Sequence, residues 1–148
     1  MTHRTIRQLI VKPDVETLPP TATVHEAAER MAANRIGAIV IVHDDGTPCG
    51  IFSERDAVTR VMAPGLDSRE TRLESVMTER VLTVHPEDDI NQALRLMRDI
   101  GFRHLPVVQD GALIGLISVR DLLHAAEFAG IPRAMGLDAD SHGAQPVT

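Results

Sequence analysis

The sequence predicts a mixed α/β (α+β) protein of two β-α-β-β-α repeats, related by a pseudo-two-fold axis and packed sheet to sheet. The first observation is an internal repeat: residues 5–61 align with residues 71–126 at an offset of 66, which becomes 65 after the loop at 44–49. Similarity at a fixed offset indicates a duplicated structural unit. The second observation is length, because a repeat of about 57 residues buries too little apolar surface to be stable alone. We therefore expect the two copies, joined by a linker at 63–68, to share one core.

Each repeat is predicted to begin with a short helical turn and a brief extended segment. The turns fall at 5–10 and 71–77, and the extended segments at 15–18 and 81–84. A proline shortly after each extended segment favours a break in the chain before the next element.

A capped helix is predicted next in each repeat. Thr23 and Asp89 stand three residues ahead of Glu26 and Gln92, which is the capping-box pattern and a close variant of it. Apolar residues then recur at i, i+3, i+4 and i+7, the spacing of a buried helical stripe. They are Val24, Ala27, Ala28 and Met31 in the first helix, and Ile90, Ala93, Leu94 and Met97 in the second.

Each of these helices is predicted to lead into a β-hairpin. Gly101 predicts the end of the second helix, because glycine commonly follows a helix C-terminus, and Asn34 is the weaker counterpart in the first. Apolar runs on either side of Asp-Gly then predict the hairpins. Their strands are 38–42 and 49–52 in the first repeat, and 105–108 and 113–117 in the second.

The most distinctive motif follows each hairpin. Residues 50–56 read Gly-Ile-Phe-Ser-Glu-Arg-Asp, and residues 115–121 read Gly-Leu-Ile-Ser-Val-Arg-Asp. A serine three residues ahead of a carboxylate, between a strand and a helix, predicts a helix N-cap. A helix N-terminus also attracts phosphate. The motif alone leaves two roles open for Ser53 and Ser118: capping only, or capping and holding a ligand.

Composition and charge argue against several functional classes. A net charge of −6, with three Phe and neither Trp nor Tyr, disfavours nucleic acid as a partner, because nucleic-acid-binding proteins present a basic face and aromatic platforms. The single cysteine, Cys49, excludes an internal disulfide and suits a reducing compartment. We find no signal peptide and no apolar run near the roughly 20 residues of a membrane span, so we expect a cytoplasmic protein with no membrane partner. Without a metal-binding motif or a catalytic constellation, we expect neither a metal nor enzymatic activity.

The order of these elements resembles a tandem pair of cystathionine-β-synthase (CBS) domains, the Bateman module. Residues 36–42 (Ile-Gly-Ala-Ile-Val-Ile-Val), residues 102–108 (Phe-Arg-His-Leu-Pro-Val-Val) and both Ser-x-Arg-Asp motifs carry the resemblance. It implies a stand-alone protein with a first CBS domain at 5–63 and a second at 71–128. We expect 129–148 to be a flexible C-terminal tail.

The resemblance implies a regulatory sensor. Such pairs are similar to modules that bind an adenosine compound (AMP, ADP or ATP, possibly NAD or S-adenosylmethionine) in two clefts between the repeats. An adenosine nucleotide, AMP or ATP first, is therefore the expected regulatory ligand, with no obligatory cofactor. The family commonly forms homodimers, so we also expect a homodimer and a regulated partner protein that the sequence does not identify. The alternative is a CBS pair without a ligand that acts as a dimerisation or docking module.

The resemblance also implies which residues bind the ligand. In the family pattern, the motif aspartate holds the ribose diol and the motif serine meets the phosphate. One cleft would contain Ser118, Arg120 and Asp121 with Ile36, Gly37 and Ala38. The other would contain Ser53, Arg55 and Asp56 with Phe102, Arg103 and His104.

The two clefts are not expected to be equal. Glu54 places a second carboxylate beside the first serine, which repels phosphate, whereas the second motif has neutral Val119. We therefore expect the Asp121 cleft to be the stronger nucleotide site. Two residues have other interpretations: Arg103 as a solvated surface residue, and His104 as a hydrogen-bonded core histidine.

Overall fold

The computed structural model describes residues 4–9 and 15–128, so the predicted tail at 129–148 lies outside the described residues. The first repeat contains a 3-10 helix (Ile6–Leu9), β1 (Thr17–Leu18), α1 (Val24–Asn34), β2 (Ala38–Val42), β3 (Pro48–Ser53), α2 (Glu54–Asp56) and a π-helix (Ala57–Met62). The second contains a 3-10 helix (Leu73–Ser75), α3 (Ile90–Ile100), β4 (His104–Gln109), β5 (Ala112–Ser118) and α4 (Val119–Phe128). The predicted mixed α/β fold class is confirmed.

The strands form two small sheets. In the first, β1 runs parallel to β2, and β2 runs antiparallel to β3; in the second, β4 and β5 are antiparallel. The predicted extended segment at 81–84 forms a single bridge, between Val84 and Val107. Pro106 stands where the first repeat has Val40, and it lacks the N–H that a second bridge would need. The second repeat therefore has no counterpart of β1.

The predicted caps of the two long helices are present. Thr23 Oγ1 accepts a hydrogen bond from the Glu26 N–H at 3.1 Å. Asp89 Oδ1 accepts from the N–H groups of Asn91 (2.7 Å) and Gln92 (3.4 Å). Both side chains satisfy backbone donors that have no partner within the helix, which fixes where α1 and α3 begin.

The two long helices end on different residues. Gly101 follows α3 in the left-handed conformation, with φ of 81°, as predicted. In α1 the left-handed residue is Arg35, with φ of 53°, so the prediction of Asn34 is wrong by one position. The Asn34 side chain donates instead to the Arg30 carbonyl and to Glu16, both at 2.9 Å, which holds Asn34 in the last turn of the helix.

The two repeats exchange their first helical turns. Ile6 of the first repeat is buried among side chains of the second, and its N–H donates to the Asp88 carbonyl at 3.0 Å. Leu73 of the second repeat is buried among side chains of the first, and its N–H donates to the Ala22 carbonyl at 2.8 Å. Because these two hydrogen bonds are equivalent, Ile6 corresponds to Leu73 at an offset of 67. The predicted offset of 66 is wrong by one residue in this segment.

The buried apolar side chains form two clusters, not the one shared core that we expected. Each sheet packs its own helices on one face, and each cluster is completed by the turn from the other repeat. The opposite face of β2 is buried as well: Ile39 and Ile41 belong to the first cluster, while Ala38 and Val40 are 1% and 0% exposed. A strand that is buried on both faces fits the predicted packing of sheet on sheet.

Candidate ligand-binding cleft

A cavity of about 340 Å³ lies between the two repeats. The first repeat contributes Ile51, Ser53, Arg55, Asp56, Thr59 and Arg60. The second contributes Thr78, Arg80, Leu82, Gly101, Phe102, Arg103 and His104. The structure therefore brings together all six residues that were predicted to line the cleft of the first motif. The volume falls within the range of about 300–1,000 Å³ that is common for small-molecule sites.

Asp56 is held by the hydrogen bonds of its own motif. Its Oδ2 accepts from the Ser53 N–H (3.0 Å) and from Ser53 Oγ (3.1 Å), and Ser53 Oγ in turn accepts from the Asp56 N–H (3.2 Å). The predicted cap is confirmed. Because Asp56 is only 8% exposed, the cap presents an oriented and largely desolvated carboxylate at the cavity.

Two further side chains reach the carboxylate of Asp56 from outside the motif. Thr78 Oγ1 lies 3.3 Å from Oδ1 and 3.4 Å from Oδ2. Arg60 Nε lies 3.6 Å from Oδ1. Through Nη1, Arg60 also donates to the carbonyls of Met77 (3.0 Å) and Val76 (3.4 Å). Asp56 thus links the first motif to the segment that follows the exchanged turn of the second repeat.

Three arginines line the cavity without an ionic partner in the described part of the chain. The guanidinium groups of Arg55, Arg80 and Arg103 form no hydrogen bond or ion pair with any described residue. With Arg60, they place four guanidinium groups around a cavity in which Asp56 is the one carboxylate among the described lining residues. Like charges at short range repel each other, so this arrangement suits an anion, and a guanidinium group matches phosphate in geometry.

His104 lies close to both motifs. Burial lowers the pKa of its imidazole, and this effect exceeds the opposing influence of Asp121, Glu54 and Asp56. A neutral imidazole can donate one hydrogen bond and accept another, but it adds no positive charge. Of Arg103 and His104, only Arg103 therefore adds a positive charge to the cavity.

The second motif has the same cap in a more exposed setting. The Ser118 N–H donates to Asp121 Oδ2 at 2.9 Å, and the Asp121 N–H donates to Ser118 Oγ at 3.1 Å. Asp121 and Arg120 are both exposed at the start of α4, whereas Asp56 is buried. One sequence motif therefore provides two carboxylates with different environments.

Ile36, Gly37 and Ala38, predicted to complete the Asp121 cleft, bond within their own repeat. The Gly37 carbonyl accepts from the Glu54 N–H at 3.0 Å, and Ala38 pairs with Ser53 across the first hairpin. Ile36 packs against the first apolar cluster. Among the hydrogen bonds of the described residues, none joins these three residues to Asp121.

The arginines of the cavity are largely absent from the equivalent positions around Asp121. The corresponding pairs, at offsets of 65 to 67, are Arg55 with Arg120, Arg60 with Ala125, Arg103 with Gly37, and Arg80 with Asp14 or Pro13. The duplication therefore kept the capping motif in both repeats, while of the four cavity arginines only Arg55 has an arginine as its equivalent; the first repeat has Arg35 instead at the position of Gly101.

Sequence reasoning did not find Thr78, Arg60 or Arg80 as site residues. Arg60 could have been found, because it stands four residues after Asp56, a spacing that allows an ion pair on a helix. Thr78 and Arg80 carry no such local signal. Only the bridge between Ile51 and Thr78 brings their segment to the cavity.

Within residues 4–9 and 15–128, no group of three or more His, Cys, Asp or Glu side chains is placed to hold a metal ion. None of the helices in these ranges is long and apolar enough to cross a membrane.

The fold and the cleft define an internally duplicated α/β module with a basic cavity between its repeats. The family model of the CBS domain matches this chain twice, at residues 6–63 and 73–127. The chain belongs to the CBS-domain family, as a tandem pair of CBS domains.

Solved structures and a curated relative agree with this assignment. A CBS-domain-containing protein from Agrobacterium tumefaciens is 34% identical, with a TM-score of 0.77 over 83% of this chain and 99% of that one. A CBS domain protein from Pyrobaculum aerophilum, solved in complex with AMP, is 32% identical, with a TM-score of 0.75 over 86% of this chain and 100% of that one. An uncharacterized protein from Methanopyrus kandleri is 38% identical over 120 residues, which are 80% of this chain but 61% of that protein. The chain thus spans less than two thirds of that curated relative.

Proposed function

We propose that the chain is a non-catalytic regulatory module that binds an adenosine nucleotide in the cavity at Asp56 and thereby controls a partner protein. The observation that carries the proposal is the set of guanidinium groups of Arg55, Arg80 and Arg103, which face a cavity containing a buried, oriented carboxylate and have no ionic partner among the described residues. The AMP complex of the Pyrobaculum aerophilum relative supports the adenosine class of ligand.

The lining offers a partner for each part of a nucleotide. Asp56 would accept hydrogen bonds from the ribose hydroxyls, since a carboxylate has two acceptor oxygens. The arginines would bind the phosphates through charge-assisted hydrogen bonds. Ile51, Leu82 and Phe102 supply apolar surface for the base. Because both polar groups of Ser53 are occupied by the cap, we assign Ser53 to the orientation of Asp56 and not to phosphate.

We place the principal site at Asp56, which reverses the preference for Asp121 that Glu54 suggested. Glu54 adds one negative charge beside the cavity, but the lining itself holds four arginines. Around Asp121, the positions equivalent to the lining hold two arginines, Arg120 and Arg35, the second at the position of Gly101. For a ligand that carries two or more negative charges, four guanidinium groups outweigh one additional carboxylate.

Calorimetric titration of the chain with AMP, ADP, ATP, NAD and S-adenosylmethionine tests this function. We expect an adenosine nucleotide to bind, with affinity rising with the number of phosphates. Asp56→Asn should weaken that binding about tenfold or more, because hydrogen bonds to a charged group are among the stronger ones. Asp121→Asn is the matched control, with the same motif and cap in the other repeat, and should change affinity less than about twofold.

Thermal unfolding of both variants without ligand separates lost binding from lost folding. If none of the five ligands binds measurably at millimolar concentration, the nucleotide function is contradicted. A larger loss from Asp121→Asn than from Asp56→Asn would move the principal site to the second motif.

A docking or dimerisation module without a ligand is the second candidate. Val58, Met62 and Leu66 are 54%, 69% and 46% exposed, and they lie on or just after the π-helix. Neighbouring exposed apolar side chains mark surfaces that meet other proteins. The two candidates differ at the cavity, so the titration above decides between them. A cytoplasmic location stays a prediction from the sequence.

A further inference from the structure

We propose that Thr78 and Arg60 set the affinity and selectivity of the nucleotide site by competing with the ligand for the carboxylate of Asp56. This inference rests on the proposed function and concerns two residues that the motif does not include. A nucleotide displaces these two side chains from Asp56 when it binds.

The carboxylate of Asp56 already has four partners. A carboxylate offers about four lone-pair positions. Three donor groups lie within hydrogen-bond distance of it, namely the Ser53 N–H, Ser53 Oγ and Thr78 Oγ1. Arg60 Nε forms an ion pair with Oδ1 at 3.6 Å. A ribose diol that binds Asp56 through both hydroxyls therefore competes with these partners.

The distances indicate which of these partners a ribose displaces. Both groups of Ser53 lie within 3.1 Å of Oδ2, and their loss would dismantle the cap that begins the helix. Thr78 Oγ1 lies at 3.3 Å and 3.4 Å from the carboxylate, and Arg60 Nε at 3.6 Å. These longer contacts are the weaker ones. The backbone of Thr78 stays paired with Ile51, so only the hydroxyl has to turn away.

Arg60 has a second use once it leaves Asp56. Its guanidinium group lines the cavity, and its Nη1 is anchored by the carbonyls of Met77 and Val76. A phosphate in the cavity can therefore replace the carboxylate as its anionic partner. A nucleoside without phosphate breaks the same ion pair and supplies no replacement. Arg60 should thus favour nucleotides over nucleosides, while Thr78 should oppose any ligand that uses its ribose hydroxyls.

The test of Thr78 compares ATP with 2′,3′-dideoxy-ATP, which lacks the two hydroxyls. Thr78→Val keeps the shape of the side chain and removes the competing donor. We expect its affinity for ATP to rise about twofold to tenfold, the effect of one ordinary hydrogen bond, with the affinity for dideoxy-ATP unchanged. Thr78→Ser keeps the hydroxyl and should behave like the wild type. A merely structural role for Thr78 would change both affinities together.

The test of Arg60 compares ATP with adenosine. Arg60→Ala should raise the affinity for adenosine and lower the affinity for ATP, so that the ratio of the two falls about tenfold or more. Arg98→Ala removes an exposed arginine of α3 outside the cavity lining and should leave the ratio unchanged.

The outcomes separate this inference from the function on which it rests. If the wild type binds neither ATP nor adenosine, the proposed function fails. If the wild type binds ATP, but Thr78→Val changes the ATP and dideoxy-ATP affinities equally or not at all, the competition is refuted and the function stands. An unchanged ATP-to-adenosine ratio in Arg60→Ala would likewise refute the role of Arg60.

Discussion

At the scale of single residues, Asp56 and Asp121 show how burial divides two copies of one motif. Both aspartates close the same reciprocal cap with a serine. Asp56 is buried and is compensated by Thr78 and Arg60, whereas Asp121 stands exposed at the start of its helix. A buried carboxylate is costly unless it is paired, so these partners belong to the chemistry of the site as much as the motif does.

His104 should make the free energy of unfolding depend on pH. Because burial lowers its pKa in the folded chain below the ordinary value of about 6.5, the unfolded chain binds more protons between those two values. The free energy of unfolding should therefore rise with pH through this window and reach its full value above about pH 6.5. Urea unfolding between pH 5 and pH 8 measures this slope, and His104→Gln should reduce it.

The control for this prediction is His43→Gln, which changes an exposed histidine beside the turn of the first hairpin. It measures how far the removal of an exposed histidine alone changes the slope. If His104→Gln retains the full slope as well, the carboxylates near His104, namely Asp121, Glu54 and Asp56, compensate its burial more completely than we infer, against Arg103, which lowers the pKa as burial does.

Local motifs made part of the site predictable, and tertiary pairing made the rest unpredictable. The serine caps follow from three-residue spacing, so they could be predicted from the sequence. Arg103 was predicted through the family resemblance, and the cavity includes it. Thr78 and Arg80 reach the cavity only because their segment pairs with Ile51 across the repeats, which no local pattern encodes.

At the scale of elements, hydrophobic periodicity predicted the hairpins and long helices, and single residues decided their limits. The left-handed residue after α1 is Arg35, because the Asn34 side chain bonds within the last turn. The segment at 81–84, expected to be a strand, forms only the bridge between Val84 and Val107, because Pro106 has no N–H to donate to a second bridge. Both deviations arise from side-chain and backbone partners that an apolar pattern does not report.

The π-helix presents exposed apolar side chains that could meet a second copy of the chain. Val58 and Met62 are exposed on it, and the second repeat has Glu127 at the position of Met62. We expect the chain to form a homodimer through this face and Met62→Glu to shift it towards the monomer, because burying a carboxylate in an apolar interface is costly. Sedimentation equilibrium measures both species. A wild type that sediments only as a monomer, or a variant that dimerises equally well, would contradict this interface.

At the scale of the whole molecule, the exchanged turns make each repeat depend on the other. Ile6 completes the second apolar cluster, and Leu73, Val76 and Met77 complete the first. The sequence predicted that a single repeat is too small to be stable, but it did not predict the exchange. An alignment of the repeats shows which residues are equivalent and not which repeat a turn packs against, and the hydrogen bonds also match Ile6 with Leu73 where the alignment placed Thr5 against Thr71.

This dependence predicts that the two repeats unfold together. Leu73 and Ile6 are both fully buried, so Leu73→Ala and Ile6→Ala should each lower the free energy of unfolding by about 2–5 kcal/mol, although each lies in a short turn. Leu66→Ala, at a residue that is 46% exposed, is the control and should change it by less than about 0.5 kcal/mol. Each variant should unfold in urea in one cooperative transition, seen alike by circular dichroism and by a probe placed in either repeat. The reason is that each apolar cluster contains a turn of the other repeat, so one repeat cannot unfold without removing part of the other's cluster. Two separate transitions, or a folded fragment of residues 1–66, would show that the repeats are independent and that the exchange contributes little to stability.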